Sequence, residues 1–144
     1  MNPSFVLDCS VILSWCFRDE QNAYALSVLN RLENETAITP WFCPLEFYNV
    51  LLVAERKGRI VFDEVNDIVD YVARMGILLD KDIFIWNSMN LLQIARKFSL
   101  TSYDAVYLEL AMRLRLPLAT LDNELHSAAE ASGVRIYDPN SECG

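Results

Sequence analysis

Histidine is almost missing from this chain, with one in 144 residues, so a zinc site built on imidazoles is excluded. Cysteine is scarce too. The four stand at positions 9, 16, 43 and 143, no two in a C-x-x-C pair, and they read as reduced, the first three as core filler. Four glycines and five prolines exclude collagen-like and low-complexity readings and leave no linker of that composition. No run of about 18 apolar residues offers a membrane span. The opening MNPSFVLDCSVILSWCF lacks a basic start and is interrupted by Asp8, so it does not read as a signal peptide, and the cytoplasm is the expected compartment. Positive charge is also short, at 12 Lys and Arg against 20 Asp and Glu, a net −8. The overall field of such a surface does not attract a polyphosphate. A nucleic-acid partner would therefore need positive charge supplied locally, by a bound divalent cation or a small basic patch.

What is present is ordinary globular composition, 53% apolar and 22% charged. The length suits one domain, expected over residues 1–138 with a polar tail at 139–144. Five short apolar runs read as strands, at 4–8, 37–39, 76–79, 116–121 and 134–137. Helix-period sequence lies between them. The clearest helices are expected at 44–57, entered through Pro44 and stopped by Gly58, and at 63–74, 84–97, 102–115 and 123–132. The helix at 102–115 places Tyr107, Leu110, Ala111 and Leu114 on one face. Strands alternating with helices imply βαβ units, a parallel sheet and an α/β class. In such sheets ligands bind beyond the carboxyl ends of the strands, which directs attention to Asp8 and Asp122, the acids closing the first and fourth runs.

Two further acids occupy helix starts. Glu46 lies in PLEFYNVLLVAE and Asp104 in LTSYDAVYLELA. Each of the four has a bland reading. Asp8 and Asp122 suit the cap of a following helix, Glu46 suits the positive end of a helix dipole, and Asp104 stands three residues after Thr101, as in a capping box. Taken together the bland readings weaken. Helices leaving one edge of a parallel sheet can point first-turn residues at that edge. Carboxylates meeting there repel by about 4 kcal/mol per pair at 4 Å and an effective dielectric near 20. Such a cluster calls for protons or a cation, and Mg²⁺ or Mn²⁺ takes oxygen ligands. Phosphodiester hydrolysis is chemistry that such a cation serves.

The segments FVLDCSVILSW, PLEFYNVLL and SLTSYDAVYLELAMRLRLPLATLDNEL, in this order and spacing, resemble PIN-domain proteins, and specifically VapC-type toxins of the VapBC toxin–antitoxin systems. The resemblance covers nearly the whole chain. It implies a PIN-like three-layer α/β/α fold with a five-stranded parallel sheet of order 3-2-1-4-5, which sets the first and fourth strands side by side. It places Asp8, Glu46, Asp104 and Asp122 on the family's four acidic, Mg²⁺- or Mn²⁺-binding catalytic positions, and Ser10 and Thr120 on its hydroxyl positions beside them. It implies a Mg²⁺-dependent endoribonuclease acting on RNA, a VapB-like antitoxin as partner and a homodimer, for which the apolar hairpin over 51–77 is a candidate interface.

Other residues carry double readings. Asn49 matches an amide one turn beyond Glu46, for substrate or for backbone. Some relatives carry another acid after the last one. Here Asn123 and Glu124 follow Asp122, and Glu124 reads as a solvated helix-start acid, which leaves the metal count at one or two. Arg56, Lys57 and Arg59, then Arg96 with Lys97, then Arg113 with Arg115, suit helix carboxyl ends more than phosphate contact. His126 lies away from the strand edge. Trp15, Trp41 and Trp86 offer stacking faces for bases, with packing the plainer use. The alternatives are a PIN nuclease of RNA processing with no toxin role and, in a different class, a non-catalytic acidic-pocket binding or signalling module. Against a phospho-acceptor module, Asp8 stands without an adjacent acid and no Lys follows the fourth or fifth strand.

Overall fold

Four short runs rich in aliphatic residues form the strands of the computed structural model, which describes residues 2–82 and 88–142. They are β1 (Phe5–Leu7), β2 (Ala37–Pro40), β3 (Leu78–Asp80) and β4 (Leu118–Ala119). All pairings are parallel, in the order β3-β2-β1-β4. Every residue of β1 and β2 is buried, as in a parallel sheet covered on both faces. The topology brings the carboxyl ends of β1 and β4 side by side, with Leu7 opposite Ala119.

The expected fifth strand keeps its place at the β4 edge but not its length. At 134–137 the chain makes one isolated parallel bridge, Leu118 to Ile136. Leu118 N–H donates to the Arg135 carbonyl at 2.9 Å, and Tyr137 N–H donates to the Leu118 carbonyl at 2.8 Å. β4 is itself two residues long and offers little more to pair with. The sheet is therefore four-stranded with a fifth, single-rung neighbour, in the order expected.

Seven helices are described: α1 (Cys9–Cys16), α2 (Ala23–Arg31), α3 (Cys43–Arg56), α4 (Phe62–Ala73), α5 (Met89–Phe98), α6 (Ser102–Leu114) and α7 (Asn123–Ala131). α3 enters through Pro44 and is followed by Gly58 at φ +74°, a left-handed position that suits glycine. α6 stops on Arg115, also left-handed at φ 56°, with Pro117 two residues on. α6 lies against β1 and β2 and carries α5 and α7, while α1 packs on α2 and α3. Tyr107, Leu110 and Ala111 of α6 are buried as expected, along with Val106 and Leu108, but Leu114 is exposed near the helix end. The start expected at residue 84, together with Trp86 and Cys143, lies outside the described residues. Cys9, Cys16 and Cys43 are free thiols. Among the described residues no helix is long and apolar enough to cross a membrane.

The segment after α7 is tied to the sheet. Tyr137 stacks on Phe5 of β1, with ring centroids 4.0 Å apart and planes at 14°. Its hydroxyl donates to Glu35 at 2.7 Å, and its carbonyl accepts from the Tyr24 hydroxyl at 2.7 Å. Phe5 is fully buried, so Phe5→Ala removes both its burial and the stack. The variant should lose about 3–5 kcal/mol, measured by urea unfolding.

Candidate active site

The strand-end acids meet first. Asp8 follows β1 and is only 5% exposed, so its carboxylate needs partners. Ser10 Oγ donates to Asp8 Oδ2 at 2.6 Å, and Thr120 Oγ1 donates to the same oxygen at 2.7 Å. Both hydroxyls are themselves held. Ser10 Oγ accepts the Leu121 N–H at 3.0 Å, and Thr120 Oγ1 accepts the Asp122 N–H at 3.0 Å. Two backbone N–H groups beyond β4 thus reach Asp8 through two hydroxyls. Asp8 occupies the N-cap position of α1, yet its side chain makes no capping bond there.

Asp122 does cap. Its Oδ1 accepts the Leu125 N–H at 2.9 Å at the start of α7. Asp104 sits in the first turn of α6, where Thr101 Oγ1 accepts its N–H at 3.1 Å. That bond uses the Asp104 backbone, and Thr101 also hydrogen-bonds the Asp104 carboxyl. Glu46 sits in the first turn of α3, and the buried Tyr107 donates its hydroxyl to Glu46 Oε1 at 2.8 Å. Sequence reading placed Tyr107 in the core only. It follows Asp104 by three residues and so shares its helix face, a spacing that marks it as a neighbour of the acids.

Asp8, Glu46 and Asp104 are each raised, in part by neighbouring acids. Burial raises the Asp8 carboxyl, the Ser10 and Thr120 bonds oppose this, and the Asp122 charge adds to it. Burial raises Glu46, the Tyr107 bond lowers it, and the charges of Asp8 and Asp104 raise it again. Asp104 is pushed up to about 6, first by burial and then by Asp122 and Asp8, with a smaller contribution from Glu124. Glu124 is exposed in the first turn of α7, within electrostatic reach of the site. Asn49 is exposed on α3 and lines the same groove as Glu46.

The donor set is oxygen alone, four carboxylates with two hydroxyls pinning one of them. That suits a hard divalent cation. Among the described residues no three Asp, Glu, His or Cys side chains are closed into a ready coordination shell. The acids influence one another at range across the strand ends. His126 lies on α7, paired with Glu130 at 2.9 Å. The Cys9 thiol is raised by contact with Cys43 and by burial, and it belongs to the core.

The basic groups divide. Arg59 pairs with Asp19 at 2.7 Å and lies over the Phe17 ring at 4.2 Å. Arg113 is held by Glu109, Asp80 and Asp82. Arg56, Arg96, Lys97 and Arg115 are exposed or partly exposed near helix ends. Trp15 packs, its indole N–H donating to the Ala25 carbonyl at 2.7 Å, whereas Trp41 is 44% exposed.

A family model described as PIN domain matches residues 5–131. Among solved structures, the fold is similar to PAE2754 from Pyrobaculum aerophilum, with a TM-score of 0.68 and 22% identity over 89% of this chain and 87% of that one. It is also similar to FitAcB from Neisseria gonorrhoeae, with a TM-score of 0.64 and 16% identity over 94% and 97% of the two chains. No curated protein sequence matches the chain.

Two stability measurements check this electrostatic picture. Asp8→Asn keeps an acceptor for both hydroxyls and removes a buried charge, so its melting temperature without metal should equal or exceed that of the wild type. Asp8→Ala leaves both hydroxyls without their acceptor and should cost about 1–3 kcal/mol. Because Asp104 is raised from 3.8 to about 6 on folding, the folded state binds this proton more tightly than the unfolded one. Its contribution to stability is full below about pH 4 and is lost as pH rises through 6. The melting temperature of metal-free protein should therefore fall between about pH 4 and 6, and Asp104→Asn should flatten that fall.

Proposed function

The chain belongs to the PIN-domain family, and from that membership we propose that it is a metal-dependent endoribonuclease, the toxin half of a type II toxin–antitoxin pair. PIN domains are typically nucleases. What supports the reading is that Asp8, Glu46 and Asp104 are each raised by burial and by the charge of neighbouring acids, Asp122 among those neighbours, in a chain of net −8. These four residues would hold Mg²⁺, or Mn²⁺ in its place. When bound, the cation supplies the positive charge that a phosphodiester requires and promotes attack of water at phosphorus.

The chain's own groups prepare that site. Ser10 and Thr120 pin Asp8 Oδ2, and with it the plane of the carboxylate. Tyr107 holds Glu46 Oε1 and fixes the rotamer of a side chain that is otherwise long and mobile. Thr101 and the α7 cap set the backbones that carry Asp104 and Asp122. Ser10 and Thr120 are thus positioning residues, and the four acids are the groups offered to metal and substrate. With one His, itself paired with Glu130, the protein has no imidazole base at this edge.

The toxin role rests on the three sequence segments and their spacing. Its partners in this reading are RNA, a VapB-like antitoxin and a second copy of the chain. The α3–α4 hairpin supports self-association, since no residue of α4 is buried and Val61, Phe62 and Tyr71 stand exposed. Cleavage of a mixed RNA pool should require Mg²⁺ and stop on addition of EDTA. Asp8→Asn and Asp104→Asn should each lose at least about 100-fold in rate while melting as folded proteins. Cleavage that persists under EDTA would reject the metal mechanism. Mapping RNA ends after induced expression, with Asp8→Asn as control, identifies the RNA.

A further inference from the structure

Cys9 is the first residue of α1, directly after Asp8, and Cys43 is the first residue of α3, one turn before Glu46. Both lie in the core, 5% and 2% exposed. Their thiols are in hydrogen-bond contact with each other, and the Cys43 sulfur also reaches the hydroxyls of Thr39 and Tyr107. Those two hydroxyls donate elsewhere, Thr39 to the Leu7 carbonyl and Tyr107 to Glu46, each at 2.8 Å. Of the three neighbours, only the Cys9 thiol is left to donate to the Cys43 sulfur. Buried thiols are ordinarily inert, because no reagent reaches them. This pair has a way in. A cavity of about 170 Å³ lies between α1, α3, α4 and the β3 side of the sheet, with Cys43 and Thr39 in its wall. α4 supplies Val69, Val72 and Ala73 to that wall, and no residue of α4 is buried. None of the lining side chains is charged.

We propose that Cys9 and Cys43 form an oxidation site, at which hydrogen peroxide entering by this cavity closes a disulfide between them. The inference goes beyond the nuclease reading and stands without it. Size and charge select the oxidant. A water's share of liquid volume is about 30 Å³, so a neutral molecule of two heavy atoms fits the cavity and a tripeptide disulfide does not. The Cys43 sulfur attacks one peroxide oxygen, the O–O bond breaks, and the departing hydroxyl leaves with the Cys43 thiol proton as water. Cys43 is then a sulfenic acid. The Cys9 sulfur attacks the Cys43 sulfur, the S–O bond breaks, and the hydroxyl leaves with the Cys9 proton as a second water. Two thiols have lost two electrons, and the two peroxide oxygens have gained them. An S–S bond of about 2.05 Å is shorter than any hydrogen-bond contact between sulfurs, so closure draws the starts of α1 and α3 together. The bond then ties the residue after Asp8 to the helix that carries Glu46.

The test uses the full chain with all four cysteines reduced. Hydrogen peroxide is added and quenched at intervals, the protein is unfolded, free thiols are alkylated and peptides are mapped by mass. A peptide linking Cys9 to Cys43 should appear, should revert with dithiothreitol, and should form several-fold faster than the more exposed Cys16 is oxidised. Oxidised glutathione should leave the pair reduced over the same time. In urea the pair should lose its lead over Cys16, because the contact is gone. Cys9→Ser should stop at a sulfenic acid on Cys43, trapped by dimedone. Cys9 and Cys43 still reduced after Cys16 has reacted would overturn the proposal, and so would links made only to Cys16 or Cys143. A lead that persists in urea, or equal oxidation by glutathione disulfide, would overturn it too, since neither contact nor cavity would then govern the reaction.

Discussion

The bridge from Leu121 and Asp122 through Thr120 and Ser10 to Asp8 holds the rest in place. A carboxylate 5% exposed is costly to keep charged. Two hydroxyl donors on one oxygen, each worth about 1.5–3 kcal/mol when the acceptor is charged, offset much of that cost. The same hydroxyls accept the N–H groups of Leu121 and Asp122, just beyond β4. One small network thus closes the sheet's β1–β4 edge, satisfies the backbone where β4 stops and aims Asp8. Thr39 plays a similar part on the other side, donating to the Leu7 carbonyl at 2.8 Å.

Charge is organised around that point. Asp8, Glu46 and Asp104 are raised by burial and in part by neighbouring acids, while two arginines are taken up by other acids. Arg113 is committed to three carboxylates and Arg59 to Asp19.

Much of this was legible in the sequence because the relevant signals are local. An acid ending an apolar run, a Pro at a helix entrance and Thr three residues before Asp each fix a backbone position within one turn. Asp8, Asp122, α3 and the Thr101 cap could be read for that reason. What was not legible depends on contacts between distant segments. The fifth strand shrank to one rung because β4 has only two residues to pair with. Leu114 matched the apolar face of its helix but lies where α6 runs out of the core. The ring contacts of Phe42 with Tyr103 and Tyr107 join α6 to the start of α3, and no spacing within either segment announces them.

The stack of Tyr137 on Phe5 has a consequence in time. β1, which leads into Asp8, is flanked by β2 and β4 and braced by a ring 132 positions further along the chain. Contacts of such long sequence separation form late. While the protein is being synthesised, the polypeptide emerging from the ribosome carries Asp8, Glu46 and Asp104 but has not yet released the β4 edge or Tyr137. The fold thus postpones assembly of the acids until the segment through Tyr137 is free to pack on β1.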